Sequence, residues 1–224
     1  MIALAVLAGC VGGGGTGGAP AEAVVTSDAV VIRGPQGFCV DETATRAEGD
    51  TAFVLLGNCA AISGSRRADQ PAVPVVLTAA VSEASDAGSI SESLADLDGY
   101  FRSEEGRTLL SRAQDPDAVT VMETLTEGDM FLLHARDTSA GAMEGVHSDY
   151  WRAYFDVDSR IATLSVFALE DRGVTAEQNL AALRAFAGAV MAANAGEGAA
   201  GTQRVAEAPR GGAFEFGLFR RIFD

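Results

Sequence analysis

Four apolar runs of strand length follow one another between residues 119 and 169, and the punctuation between them fixes how they connect. Residues 119–125 and 130–136 flank Thr126-Glu127-Gly128-Asp129, and residues 150–157 and 161–169 flank Asp158-Ser159-Arg160. Links this short can only reverse the chain, so each pair is an antiparallel hairpin. Residues 137–148, between the hairpins, hold glycine and polar residues and read as a loop. A meander of this kind needs its apolar face covered. The cover follows at once: Thr175 and Gln178 make a capping box, and Leu180, Leu183, Ala187, Val190 and Met191 line one side of the helix behind it. Alanines at 176, 181, 182, 185, 189, 192 and 193 favour helix and permit close approach to a sheet.

Upstream, apolar runs at 29–32, 51–56 and 73–81 are bounded by Gly, Pro, Asn or Asp and read as strands. Ile90, Leu94, Leu97 and Phe101 then recur at helical spacing behind Ser89, a candidate N-cap. Gly99 and Gly106 weaken that helix, and a second short one over 103–113 follows at an angle. The order β-β-β-α-β-β-β-β-α predicts an α+β domain over residues 28–194. Its antiparallel sheet contains the four-strand meander and is packed by two or three helices. This order is similar to that of the PsbP/Mog1-like α/β/α sandwich. Members of that superfamily are mostly non-enzymatic binding or assembly factors, so the resemblance implies a binding domain rather than a catalytic one.

The first nine residues, Met1 to Gly9, are an unbroken apolar run ending in small residues. At about 1.5 Å per residue they cannot span a bilayer core of roughly 30 Å, so they read as a signal-peptide h-region and not as a transmembrane helix. Leu7-Ala8-Gly9-Cys10 resembles the lipobox of bacterial lipoproteins. That resemblance implies cleavage before Cys10 and diacylation of it, with the protein attached to the membrane and facing the periplasm. The basic n-region of such a leader is not in the sequence, which makes a truncated start the expectation. Val11 rather than aspartate after the cysteine favours the outer membrane over the inner, by the rule that holds in enteric bacteria. Gly12 to Gly15, Thr16, Gly17 and Gly18 then supply a flexible tether, so 10–27 is expected to link anchor and domain.

The other end is set apart as well. Residues 195–212 are Ala/Gly-rich without periodicity and read as a linker. Residues 213–224 crowd together Phe214, Phe216, Leu218, Phe219, Ile222 and Phe223 with Arg220 and Arg221, using four of the chain's 11 phenylalanines. As a helix this segment places Phe216, Phe219 and Phe223 on one face. Two readings stand: a docking peptide for a membrane surface or partner groove through Phe216, Phe219, Arg220, Arg221 and Phe223, or a tail folded back over its own domain.

With Cys10 lipidated, Cys39 and Cys59 remain, and in an oxidising compartment two leftover thiols pair. Neither sits in a protease or redox motif.

Composition removes several functions. All 16 basic residues are arginine and there is no lysine, so a Walker A loop, a Schiff base and a Ser–Lys pair are excluded. A net charge of −15 argues against nucleic acid as a partner. Twelve acidic residues and three arginines lie between 83 and 129, either a solvated face or a surface for a cationic partner.

Few residues invite catalysis. His134 lies on the strand face opposite Phe131, Leu133 and Ala135 and reads as a solvent-facing or hydrogen-bonded side chain. His147, beside Ser148 and Asp149, is the one place for an envelope hydrolase, or with Glu144 for a metal, but no GxSxG elbow accompanies it. Asp115-Pro116-Asp117 and Asp156-Val157-Asp158 read as turns rather than calcium loops. Trp151 and Phe155 share one strand face and Tyr150 and Tyr154 the other, with Arg152 between, so one face is core and the other a candidate binding surface. No cofactor is expected, and the leading expectation is a non-catalytic envelope lipoprotein with an envelope protein as its partner.

Overall fold

A computed structural model describes residues 18–27, 29–85, 88–139 and 145–196. The strands are β1 (Glu22–Val25), β2 (Val30–Arg33), β3 (Phe38–Val40), β4 (Arg46–Glu48), β5 (Thr51–Asn58), β6 (Val75–Val81), β7 (Val119–Glu127), β8 (Met130–Asp137), β9 (Val146–Val157) and β10 (Arg160–Leu169). The α-helices are α1 (Cys59–Ser63), α2 (Ile90–Arg102), α3 (Glu104–Leu110) and α4 (Ala176–Asn194).

The fold is α+β. One antiparallel sheet runs β3-β5-β6-β10-β9-β8-β7, with β4 also on β5, and β1 and β2 form a separate hairpin. The meander is present as two hairpins joined through β8–β9, in which Leu132 pairs with Ala153 and His134 with Trp151. β10 then closes on β6, pairing Leu164 with Ala79, so the meander and the earlier strands are one sheet.

Layers form on both sides because the strands alternate two apolar sets. Trp151, Ala153 and Phe155 of β9 share a core with Leu164 and Val166 of β10, Leu77 of β6 and Val54 of β5. The β1–β2 hairpin and α4 lie over this face, through Ile32, Leu183, Phe186 and Val190, all at 0% exposure. Tyr150 and Tyr154 belong to a second core with Phe131, Leu133, Ile90, Leu97 and Phe101 under α2 and α3. The buried stripe of α4 is therefore Asn179, Ala182, Leu183, Phe186, Ala187 and Val190. Met191, expected on that side, is 43% exposed, because the stripe turns toward Phe186.

The helix ends follow their caps. Thr175 and Gln178 form the capping box of α4, each side chain accepting from the other's backbone N–H. Ser89 Oγ accepts from Glu92 N at 3.2 Å at the start of α2. The break after α2 comes from Ser103, which ends one helix and caps the next by accepting from Gly106 N at 3.1 Å. Gly99 lies within α2 and does not break it. Gly106 is needed where α3 folds against the end of α2: a Cβ there would sit 2.1 Å from the Tyr100 carbonyl oxygen.

Several expectations about boundaries are corrected. The tether expected over 10–27 stops short of 27, since β1 pairs with β2 from Glu22↔Arg33 to Val25↔Val30 and the Pro20 carbonyl accepts from Val40 N. The loop expected over 137–148 is shorter, with β8 running through Asp137 and β9 beginning at Val146. The short elements β3, β4 and α1 are additions. The second helix spans 104–110 rather than 103–113, and a 3-10 turn, Pro116–Ala118, follows it.

Candidate functional site

His147 and Asp149 are not in a loop but on the first residues of β9, on the same face as Trp151. Asp149 is held by Arg136 of β8, whose Nε and Nη2 both reach its carboxylate, the second at 3.0 Å. The hydrogen bond from Arg136 is the main cause that keeps the Asp149 pKa below the ordinary carboxylate value. A carboxylate engaged in this way orients an arginine rather than a histidine. Glu144 lies outside the described residues. Among the described residues no group of three or more His, Cys, Asp or Glu is placed to hold a metal ion.

His134 is buried rather than solvent-facing. Its ring stacks on Trp151, centroids 4.7 Å apart and planes 9° from parallel. Burial lowers its pKa, against an opposing pull from Asp149 and Glu123. The aspartate pairs have turn and cap roles. Asp156 accepts from Ile90 N at 2.9 Å and Ser91 N at 3.1 Å, closing the start of α2, and Asp115 accepts from Asp117 N. Asp158 takes a left-handed turn conformation, φ 52°. Of the acidic residues between 83 and 129, Asp98 is engaged by Arg102 and Thr124, and Glu127 by Arg184, while Glu92 and Asp96 stay on the exposed side of α2.

Both faces of the aromatic strand are core, so Tyr150 and Tyr154 do not form an open surface: they are 1% and 0% exposed. Between them lies a polar cluster on the α2 side. Arg152 Nε donates to Ser165 Oγ at 2.8 Å, and its guanidinium lies 4.9 Å from the centre of the Tyr150 ring. Burial works to lower the Arg152 pKa, but its interactions with the Tyr154 and Tyr150 side chains and the Asp137 carboxylate more than offset this, so the guanidinium stays charged. Burial pushes the Tyr154 hydroxyl up to about 12. Thr163, Ser165 and Thr78 stand on the same sheet face, at β10 and β6, with Ser165 paired to both Arg152 and Thr78. The Thr163 and Tyr150 hydroxyls are buried without a hydrogen-bond partner. This set is one charged guanidinium packed among buried hydroxyl groups and aromatic rings.

The sequence carried a signal for it that the apolar periodicity hid. Thr78, Thr163 and Ser165 are short hydroxyl residues set at even spacing inside otherwise apolar strands, and Arg152 falls between two tyrosines at the same parity.

Cys39 and Cys59 are joined as a disulfide, with Cα atoms 4.8 Å apart, at the β3 edge where α1 begins. Cys10 and the tail residues Phe216, Phe219, Arg220, Arg221 and Phe223 lie outside the described residues. No described helix is long and apolar enough to cross a membrane. No family model and no curated protein matches the chain.

Proposed function

We propose that the chain is a lipid-anchored protein of a bacterial cell envelope, attached through Cys10, whose α+β domain is a non-catalytic binding or assembly module. The observation that carries this reading is the pairing of Cys39 with Cys59. A structural disulfide belongs to an oxidising compartment. It also leaves Cys10 as the one cysteine outside the pair, and Cys10 is the residue that ends the lipobox-like Leu7-Ala8-Gly9-Cys10. The folded body is already in place at Pro20, bonded to Val40, so the nine residues 11–19 would reach about 30 Å from an anchored cysteine.

Helices on both faces of one antiparallel sheet support the likeness to the PsbP/Mog1-like sandwich, and with it a binding role. The rival reading, an envelope hydrolase or metal-binding protein built on His147 and Asp149, is weakened by the engagement of Asp149 with Arg136. Metabolic labelling with a radioactive or clickable fatty acid tests the anchor. The wild-type chain is expected to carry label and fractionate with membranes, and Cys10→Ala to lose both. Label retained in Cys10→Ala overturns the reading.

A further inference from the structure

Charge is spread unevenly over the body. Residues 75–196 hold eight arginines and twenty acidic residues, a net of 8 − 20 = −12. Residues 59–74 hold two arginines and one aspartate, a net of 2 − 1 = +1. Those arginines are neighbours, Arg66 and Arg67, at the tip of a turn that the Ala68 N–H closes on the Ser65 carbonyl at 3.0 Å. Both are exposed, and among the described residues neither enters an ion pair. The segment that carries them is held at both ends. α1 begins at Cys59, which is bonded to Cys39 and donates its N–H to the Gly37 carbonyl at 2.9 Å. At the other end Gln70 and Pro71 lie against Gly37 itself, where a Cβ would meet their backbone at 2.4 Å. The same stretch receives the N-terminal chain: Gly34 N donates to the Ala21 carbonyl at 3.0 Å and Val40 N to the Pro20 carbonyl at 2.7 Å. The chain from Cys10 therefore enters the fold beside the glycine that seats the arginine turn.

We infer that the Arg66–Arg67 turn docks on the anionic phospholipid headgroups of the membrane that holds Cys10, and so turns the acidic body away from the bilayer. This rests on the anchored reading for its place in the cell. Residues 11–19 keep the body within about 30 Å of the surface, so some part of it always faces the headgroups. The field of an anionic leaflet decays over about 8 Å at physiological salt, and only the nearest groups feel it. Acidic groups brought that close are repelled and arginines are held. A basic residue at such a surface gains roughly fivefold in binding, so the pair gains roughly 30-fold. For a domain free in solution that is too little to dock. For a tethered one, already at an effective concentration on the order of millimolar, it is enough to choose the orientation. The neighbouring charges do not cancel it. Arg33 and Glu22, where the chain enters, neutralise each other at 2.6 Å, and Asp69 alone opposes the two arginines within their segment.

With Cys39 and Cys59 paired, the full chain has one free thiol, Cys10, through which it can be coupled to a maleimide phospholipid in vesicles. A fluorescent amino acid at Ala61, exposed on α1, then reports its distance to acceptor-labelled lipid by energy transfer. Transfer should rise roughly twofold or more when about a third of the phosphatidylcholine is replaced by phosphatidylglycerol, and about 0.5 M salt should remove the rise. The same probe at Met122, 44% exposed on β7 at the opposite edge of the sheet, should show no rise. Arg66→Gln with Arg67→Gln should abolish the response, and Arg66→Lys with Arg67→Lys should keep it. Equal transfer from Ala61 in both lipids, an equal rise from Met122, or a rise that survives the glutamine pair would each overturn the inference. Because the anchor is attached chemically, this outcome is separate from that of metabolic labelling: a wild-type chain without fatty acid would sink the anchored reading and leave these vesicle results unchanged.

Discussion

Asn194 bonds Val31 on both sides of its backbone: its Nδ2 donates to the Val31 carbonyl at 2.8 Å, and its Oδ1 accepts from Val31 N at 2.9 Å. The amide of the last α4 residue thus behaves as one more strand beside β2. The same Nδ2 also reaches the Val190 carbonyl at 2.7 Å, which fixes the side chain against its own helix.

Asn194→Ala should therefore destabilise the fold well beyond the loss of a surface contact, because two backbone groups of β2 lose their partner. The expected cost is about 1–3 kcal/mol, read from urea unfolding. Asn194→Asp should cost a similar amount, since a carboxylate oxygen then faces the Val31 carbonyl in place of a donor. A midpoint unchanged in both variants would show that water satisfies Val31 equally well.

The disulfide closes a sequence separation of 20 residues between β3 and the start of α1. Its loss should lower stability by roughly 3 kcal/mol in the chain-entropy account. Urea unfolding with and without a reductant measures this, and the Cys39→Ala, Cys59→Ala double variant should match the reduced protein. Peptide mapping without reduction should recover Cys39 joined to Cys59. Equal midpoints under oxidising and reducing conditions would remove the staple from the account.

Acid sensitivity has an identifiable source in His134. Burial against Trp151 holds its pKa below 6.5, whereas in the unfolded chain it returns to the ordinary value. Within that interval the unfolded state binds more protons than the folded one. Stability contributed by the neutral ring is complete above the unfolded value and falls as pH drops through the folded one. Unfolding free energy should thus decline as pH falls below about 6.5, and His134→Gln should flatten that decline. Asp149, whose pKa is lowered, acts further down, losing its contribution below 3.8. Identical pH profiles for wild type and His134→Gln would assign the slope elsewhere.

Much of the fold was legible because long elements declare themselves by period. The two meander hairpins and the capped helix were placed within a few residues from alternation, turn residues and one capping box. What escaped was short or set by partners. β3 and β4 have three residues each and owe their pairing to β5, and α1 is a single turn initiated by Asn58. Arg152 and the two tyrosines were picked out as a candidate binding surface that burial then closed, and the hydroxyl partners of Arg152 escaped for a different reason. Strand parity shows that Arg152, Ser165 and Thr78 alternate with apolar neighbours, but only the register across β9, β10 and β6 puts them side by side. His134 was misjudged because a polar residue opposite an apolar face suggests solvent, while the ring of Trp151 makes that second face a core too.

The layer that carries Asn194 joins the beginning of the domain to its end. Val31 and Asn194 are 163 residues apart, and the apolar face under them is shielded by the β1–β2 hairpin and α4 together. A chain made from its N-terminus can pair its strands as they emerge, but that face stays bare until the last helix has been released. Folding of this domain is thus gated by completion of the chain, and the interval before residue 194 appears is when it most needs a chaperone.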